Sequence, residues 1–265
     1  MKFQVSGSGE PVILVHGALT DLRMWHAIEP LLATKYQVFS ITQRYFFGGE
    51  PGDGKPFSYE THAGDLAAFI KEEIKIPAHV AAWSYGADVV LLAAKLAPEI
   101  FKSAFLYEPG RHTHLTGDPL DAYLQDASIM FGGLGKTISD HGVLAGTEQL
   151  IDASACREDF FKNQPAVDRA IQLDNVSTLP LQLQQAPSQE IPCSDIHALA
   201  FPICFARGML TRDIFRLSTD GAYECSSNGT LSIIEGASHM VPIEDPDRFA
   251  HEVRTFLGKT GDPVE

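Results

Sequence analysis

Ser84 lies in the stretch V-A-A-W-S-Y-G-A-D-V, residues 80–89, between an apolar run and a second run of helical character, with Ala82 and Gly86 two positions to either side. Small side chains at both places let the backbone turn sharply from strand to helix, because anything larger than a methyl would strike a neighbouring element. A serine on such a turn presents its hydroxyl openly, ready to act as a nucleophile once a base removes its proton. Two other polar landmarks follow apolar runs in the same way: His16-Gly17 after P-V-I-L-V, and His239 after L-S-I-I-E-G-A-S. Groups that end the strands of an open α/β sheet gather outside its carboxyl edge, so the three positions are expected to converge. A hydroxyl and an imidazole are two parts of acyl-transfer chemistry, which also needs a carboxylate to orient the imidazole and donors for a developing oxyanion.

Holding those groups together requires a parallel sheet, and the chain is patterned for one. Short apolar runs at Val12–Val15, Val38–Thr42, His79–Trp83 and Ala104–Tyr107 alternate with helical segments near Met24–Ala33, Tyr59–Ile74 and Ala87–Ala97. Such alternation implies crossover helices on both faces of a mostly parallel α/β sheet, whose strands carry few polar interruptions because both faces are covered. The β pattern then stops. Helical patterns near Asp118–Phe131, Gly142–Ala155 and Ala166–Leu179, broken by G-G-L-G at 132–135 and proline-rich 180–192, suggest an inserted helical cap over residues 111–195. A structureless loop of that length would be out of place in a compact domain. Strands at Ile203–Ala206 and Leu231–Ile234 and a helix at Pro246–Leu257 complete a core of residues 1–110 and 196–265.

From about Pro11 to about Leu257 these features resemble the α/β-hydrolase superfamily. A-W-S-Y-G matches its G-x-S-x-G nucleophile elbow with Ala82 in place of the first glycine, and G-A-S-H-M-V-P-I-E-D-P is similar to its G-x-x-H-x-x-x-x-E-x-P stretch. The resemblance implies Ser84 as nucleophile, His239 as base, backbone N–H groups of Ala18 and Tyr85 as oxyanion donors, and a structural role for His16. The acid departs from the common pattern. Where relatives carry Asp after the penultimate strand, A-R-G-M-L-T-R-D puts Thr211, with Asp213 two residues late. F-L-Y-E-P-G instead ends the strand after the elbow helix with Glu108, the place used by subgroups similar to zearalenone lactonase and haloalkane dehalogenases. Glu108 is therefore the expected acid, Asp213 the alternative, and Asp220 or no acid at all stays open. Arg44-Tyr45 stands where many relatives have D-x-R-G-x-G.

The expected activity is that of a serine esterase or lactonase acting on a small, largely apolar substrate. A cofactor-independent dioxygenase or carbon–carbon bond hydrolase on the same fold is an alternative, and a non-catalytic ligand-binding homologue a third. A dehalogenase is excluded, because its nucleophile is an aspartate. Trp25, Trp83, Phe46, Met130 and Phe131, with Phe47 and Tyr85, are the candidate pocket residues. His112 and His114 form an H-x-H without a third ligand, so no metal is expected. No cofactor is called for either, since the chain carries every group that acyl transfer needs.

Of 265 residues, 45% are hydrophobic, enough for a large single core, and the formal charge is −14. That acidity, scattered rather than in blocks, argues against nucleic acid or an anionic membrane as partner and leaves a small-molecule substrate. There is no apolar run of transmembrane length, and Met1–Val5 lacks the apolar stretch of a signal peptide, so the cytoplasm is the expected compartment. Cys156, Cys193, Cys204 and Cys225 show no C-x-x-C spacing and read as ordinary buried thiols. The Asn228-Gly229-Thr230 sequon would then go unglycosylated. The sequence is silent on oligomeric state.

Overall fold

A computed structural model describes residues 1–47 and 53–260. Seven strands form one sheet: β1 (Lys2–Ser6), β2 (Pro11–Val15), β3 (Gln37–Thr42), β4 (Ala78–Trp83), β5 (Phe101–Tyr107), β6 (Ile203–Gly208) and β7 (Gly229–Ile234), in the order β1-β3-β2-β4-β5-β6-β7. β1 pairs antiparallel with β3 and every other pairing is parallel. Helix α1 (Tyr59–Phe69) precedes β4, and α2 (Tyr85–Leu96) links β4 to β5. Between β5 and β6 run α3 (Gly117–Met130), α4 (Leu134–His141), α5 (Val143–Ala155), α6 (Ala166–Asp174), α7 (Thr178–Leu183) and α8 (Cys193–His197). Then α9 (Asp213–Cys225) connects β6 to β7, and α10 (Pro246–Thr260) closes the chain.

The period-2 alternation of the central strands divides the core in two. Val12, Leu14, Ala81, Trp83, Phe105 and Tyr107 join Phe249, Val253 and Phe256 of α10 on one face. Ile13, Val15, Val80, Ala82, Ala104 and Leu106 join Leu66 and Phe69 of α1 and Val89 and Val90 of α2 on the other. Every residue of β2 and β4 is buried, as expected of strands covered on both sides. β1 escapes the sequence pattern for the opposite reason: it is an edge strand whose residues are mostly exposed, so it has no buried face to mark it.

Residues between β5 and β6 form no strand and are fixed to the sheet by buried or half-buried ion pairs and amides. Arg212, just before α9, holds the Asp126 carboxylate of α3 with Nε and Nη2 at 2.8 Å each and donates from Nη1 to the Ala153 carbonyl at 2.7 Å. The helix expected over Ala166–Leu179 breaks at Asn175, a tertiary override of local propensity. Its fully buried amide donates to Asp21 Oδ2 and to the Ile171 carbonyl, both at 2.8 Å, and accepts from Phe47 N at 2.8 Å. The segment Met24–Ala33 likewise resolves into a 3-10 turn, Leu22–Ala27, and one α-turn, Glu29–Leu32, which Pro30 opens.

The reading of all four cysteines as buried thiols is corrected. Cys193 at the start of α8 and Cys225 at the end of α9 form a disulfide with Cα atoms 5.0 Å apart, Cys156 is exposed, and only Cys204 is a buried thiol. A separation of 32 residues carries no local signature, and only the packing of α8 on α9 brings the pair together. No helix among the described residues is long and apolar enough to cross a membrane.

Two histidines packed into this core are held neutral. His16, fully buried, donates from Nδ1 to the Gly17 carbonyl at 2.8 Å and accepts the Gln43 N–H on Nε2 at 3.0 Å. His62 of α1 donates from Nε2 to the Arg44 carbonyl at 3.1 Å and accepts the Tyr85 hydroxyl on Nδ1 at 2.7 Å. Burial lowers the pKa of each to about 4.

These features generate two predictions. In the loop-closure picture a link closing 32 residues, Cys193–Cys225, stabilises the fold by about 4 kcal/mol, so Cys225→Ser should lower the urea-unfolding free energy by that amount, and reduced wild type should match the variant. Identical unfolding of oxidised and reduced wild type would overturn this. Because both histidines take up protons more readily when unfolded, near the ordinary 6.5, than when folded, stability should fall as pH drops from about 6.5 towards 4. The loss is up to ~3 kcal/mol per histidine, and His62→Gln should flatten part of the slope in urea midpoints measured against pH.

Candidate active site

Ser84 connects β4 to α2 at φ 55° and ψ −122°, a strained conformation for a residue with a side chain. Packing enforces it. The Ser84 N–H donates to the Tyr107 carbonyl at 2.8 Å, continuing the β4–β5 ladder, while its own carbonyl accepts the first helical bond from Ala87 N at 2.8 Å. Gly86 follows where α2 passes over the end of β2, and a Cβ there would lie 2.4 Å from the His16 carbonyl oxygen and 2.6 Å from that of Val15. Glycine is required at that position. Ala82 is wholly buried in register between Val15 of β2 and Leu106 of β5, where a methyl fits.

Ala18 and Tyr85 both line the cavity that Ser84 faces. The Ala18 loop is pinned by the His16 bonds above and turns through Leu19 at φ 58°. Gly17 lies against the Trp83 indole, and a Cβ there would come 2.9 Å from Cε3. Tyr85 is anchored by its hydroxyl bond to His62 and by stacking on Tyr59, ring centroids 4.5 Å apart. His62, which carries no motif in the sequence, is buried and positions the residue after the serine.

His239 and Ser84 line one small cavity, together with Ala18, Trp83 and Met240. The imidazole is nearly buried, stacked on the Phe215 ring at 3.7 Å between centroids and 3° between planes, with the Trp83 indole at 5.4 Å. Its backbone is tied down from the core: Trp83 Nε1 donates to the His239 carbonyl at 3.0 Å, and the Tyr107 hydroxyl to that of Ser238 at 2.6 Å. His239 Nδ1 donates to Glu108 Oε2 at 2.6 Å, which leaves Nε2 as the basic nitrogen.

Glu108 is fully buried at φ 52°, directly after β5. Its Oε1 accepts the Gly208 N–H at 2.7 Å and its Oε2 the Thr211 hydroxyl at 2.8 Å as well as the imidazole. Three donors solvate one buried carboxylate. Thr211, the residue found where an aspartate is usual, is therefore a hydrogen-bond partner of Glu108. The alternative acids lie elsewhere: half-exposed Asp213 pairs with Arg216 at 2.8 Å, and Asp220 with Arg207 at 2.6 Å.

The cavity before Ser84, about 540 Å³, is walled by Met130 and Phe131 of the segment between β5 and β6 and by Ile214 and Phe215 of α9. Trp83 borders the smaller cavity at His239. Three expected pocket residues are elsewhere. Trp25 is wholly buried and stacked on Phe249 at 5.9 Å, and Phe46 packs edge-on against His16 at 4.7 Å, beneath the loop it was expected to line. Phe47 lies outside under the Arg23 guanidinium, 4.0 Å from its ring centroid. His112 and His114 part company, the first beside the Tyr123 ring at 4.8 Å and the second bonded through Nε2 to the Ser218 carbonyl at 2.8 Å. Phe215 carried no sequence signal, since α9 follows a stretch read only for its acid. Asp88, one turn along α2, accepts the Gly110 and Arg111 N–H groups at 3.0 and 3.2 Å, and burial raises its pKa to about 7.

Comparisons with known proteins agree with this architecture. The chain is 24% identical over 95% of its length to a pimeloyl-[acyl-carrier protein] methyl ester esterase from Aeromonas hydrophila, of which 97% is covered. It is 32% identical to ethanol acetyltransferase 1 of Cyberlindnera fabianii over 38% of this chain, a match that spans only 30% of that protein's length. Among solved structures, a thermophilic esterase from Thermogutta terrifontis superposes with a TM-score of 0.76 at 21% identity, covering 98% of this chain and 94% of that one. The profile of the Alpha/beta hydrolase family matches residues 12–252, and with the sheet order and the turn at Ser84 this shows that the chain belongs to that family.

Proposed function

We propose that the protein is a serine hydrolase that cleaves a carboxylic ester or lactone of a small, largely apolar substrate through an acyl-enzyme on Ser84. The observation that carries this reading is the 2.6 Å hydrogen bond from His239 Nδ1 to Glu108, which fixes the imidazole tautomer that a general base needs. In this scheme Ser84 Oγ attacks the carbonyl and His239 Nε2 takes its proton. The Glu108 carboxylate stabilises the imidazolium, and the N–H groups of Ala18 and Tyr85 receive the oxyanion. The imidazolium then protonates the leaving alcohol, and water, deprotonated by the same nitrogen, releases the acid. Residues 111–195 act as a cap whose Met130 and Phe131 favour an apolar acyl or alcohol group. The esterase relative matches nearly the whole chain and the acetyltransferase only part, which favours water over an alcohol as acyl acceptor.

A fluorophosphonate probe should label Ser84, mapped by peptide mass spectrometry, and Ser84→Ala should lose the label and about six orders of magnitude of ester turnover. A folded protein left unlabelled would overturn the reading, in favour of base-only oxygenase or carbon–carbon hydrolase chemistry at His239, or of a binding protein. Replacing the acid gives an independent check. Glu108→Gln keeps the shape but removes the charge that stabilises the imidazolium, and should lower kcat by roughly three to four orders of magnitude. Asp213→Asn should stay within about twofold, as befits an exposed residue away from the site. Near-normal turnover by the Glu108 variant would exclude it as the acid.

A further inference from the structure

The cavity in front of Ser84 is not apolar throughout. Arg111, on the loop that leaves β5, also lines it, and its backbone N–H is tied to Asp88, one turn along α2 from the serine. A helical turn is roughly 5 Å, so this part of the lining is set back from the nucleophile along the helix. The guanidinium lies over the Tyr59 ring, 5.0 Å from its centroid, and Nη2 donates to the Gln189 carbonyl. Its Nη1 is buried without any hydrogen-bond partner. No carboxylate of the described residues forms an ion pair with Arg111. The two carboxylates lining the cavity are Asp88, which accepts the N–H groups of Gly110 and Arg111 and feels the Arg111 charge without forming an ion pair, and Glu190, which is exposed.

Two more unpartnered polar atoms belong to the same lining, Oε1 of Gln182 and Oε1 of Gln185. The Gln185 amide is held by its Nε2–H, which donates to the Gln182 carbonyl at 3.1 Å, whereas the Gln182 amide, turned over, presents N–H in place of its oxygen with no change of shape. A buried guanidinium N–H and one adaptable amide beside one cavity are costly unless something occupies them. The occupant matching a cation in a chain of formal charge −14 is an anion. Asp88 and Glu190 on the same wall disfavour a doubly charged group such as a phosphate monoester.

We propose that this part of the cavity receives a carboxylate: the substrate is an ester or lactone whose acyl chain ends in a second, ionised carboxyl group, held by the Arg111 guanidinium with the amide of Gln182. The apolar wall of Met130, Phe131 and Phe215 then covers the methylene chain between the two ends. This specificity rests on the ester-hydrolase reading for its chemistry, though not for its binding, and the test separates the two.

Calorimetry on Ser84→Ala protein would compare monomethyl adipate, ionised at one end near neutral pH, with dimethyl adipate, which has the same chain and no charge. The half-ester should bind roughly ten- to a hundredfold more tightly, the range of a hydrogen-bonded charge. In the Ser84→Ala/Arg111→Met variant the preference should shrink to within about threefold. Equal binding of the two esters, binding of neither, or a preference that survives removal of Arg111 overturns the proposal. The first comparison needs no Arg111 variant, so misfolding of that variant leaves the proposal exposed to refutation. Arg111-dependent binding of the half-ester in a protein whose wild type hydrolyses neither would sink the Ser84 reading and leave the carboxylate site standing.

Discussion

Burying a carboxylate beside an imidazole is the condition that organises the rest of the site. Glu108 has no solvent contact, and an ionised group in such a place is tolerated only when its lone pairs are occupied. Its three donors come from two chain segments: Gly208 and Thr211 where β6 ends, and His239 after β7. Moving either of these loops leaves the carboxylate short of a partner. The loops are accordingly fixed from beneath, by the Trp83 and Tyr107 bonds to the His239 segment and by the close approach of Gly208 to the Ala237 carbonyl, where a Cβ would come within 2.2 Å. The imidazole orientation is thus determined by packing throughout the carboxyl edge of the sheet.

Ser84 and Glu108 are both non-glycine residues at positive φ, each following a strand of the same pair. Such conformations cost on the order of 1–3 kcal/mol each, and they persist because the flanking strands are buried on both faces and cannot relax. At Ser84 the strain turns the side chain out of the sheet while the backbone keeps its bond to Tyr107. At Glu108 the N–H remains bonded to the Ala206 carbonyl at 3.0 Å, so the ladder is unbroken as the chain turns and sends the carboxylate under β6 towards His239. Two local penalties are offset by one shared, rigid scaffold.

How much of this the sequence disclosed follows from how local each signal is. The central strands were legible because burial on both faces leaves continuous apolar runs, and Ser84 because steric demands at Ala82 and Gly86 fall within five residues. β1 was not, since an exposed edge strand leaves no period to read. Neither was the Cys193–Cys225 bond, nor the break at Asn175, because both are decided by contacts with distant segments. Trp25 and Phe46 were expected in the pocket as large apolar residues near it in the chain, yet such side chains are most often core, and these two are. Phe215, stacked on the imidazole, lies on a helix whose apolar face is shared between core and site, and pattern alone does not separate the two.

Thr211 shows how the carboxylate that meets the imidazole can leave a different strand without changing its place in space. β5 and β6 are neighbours in register, Tyr107 beside Ala206, and adjacent strands lie ~4.8 Å apart. A carboxylate leaving the end of β5 can therefore reach the imidazole that one leaving β6 would reach, provided the chain turns towards β6 and the side chain is long enough. Positive φ at Glu108 supplies the turn, and glutamate has one methylene more than aspartate. The vacated position after β6 must then not be acidic, because a second carboxylate there would be a like charge within hydrogen-bond reach of the first. A hydroxyl suits it, donating at 2.8 Å where an acid would repel. The residue that looked like a defect in the sequence pattern is the complement that a carboxylate at Glu108 requires.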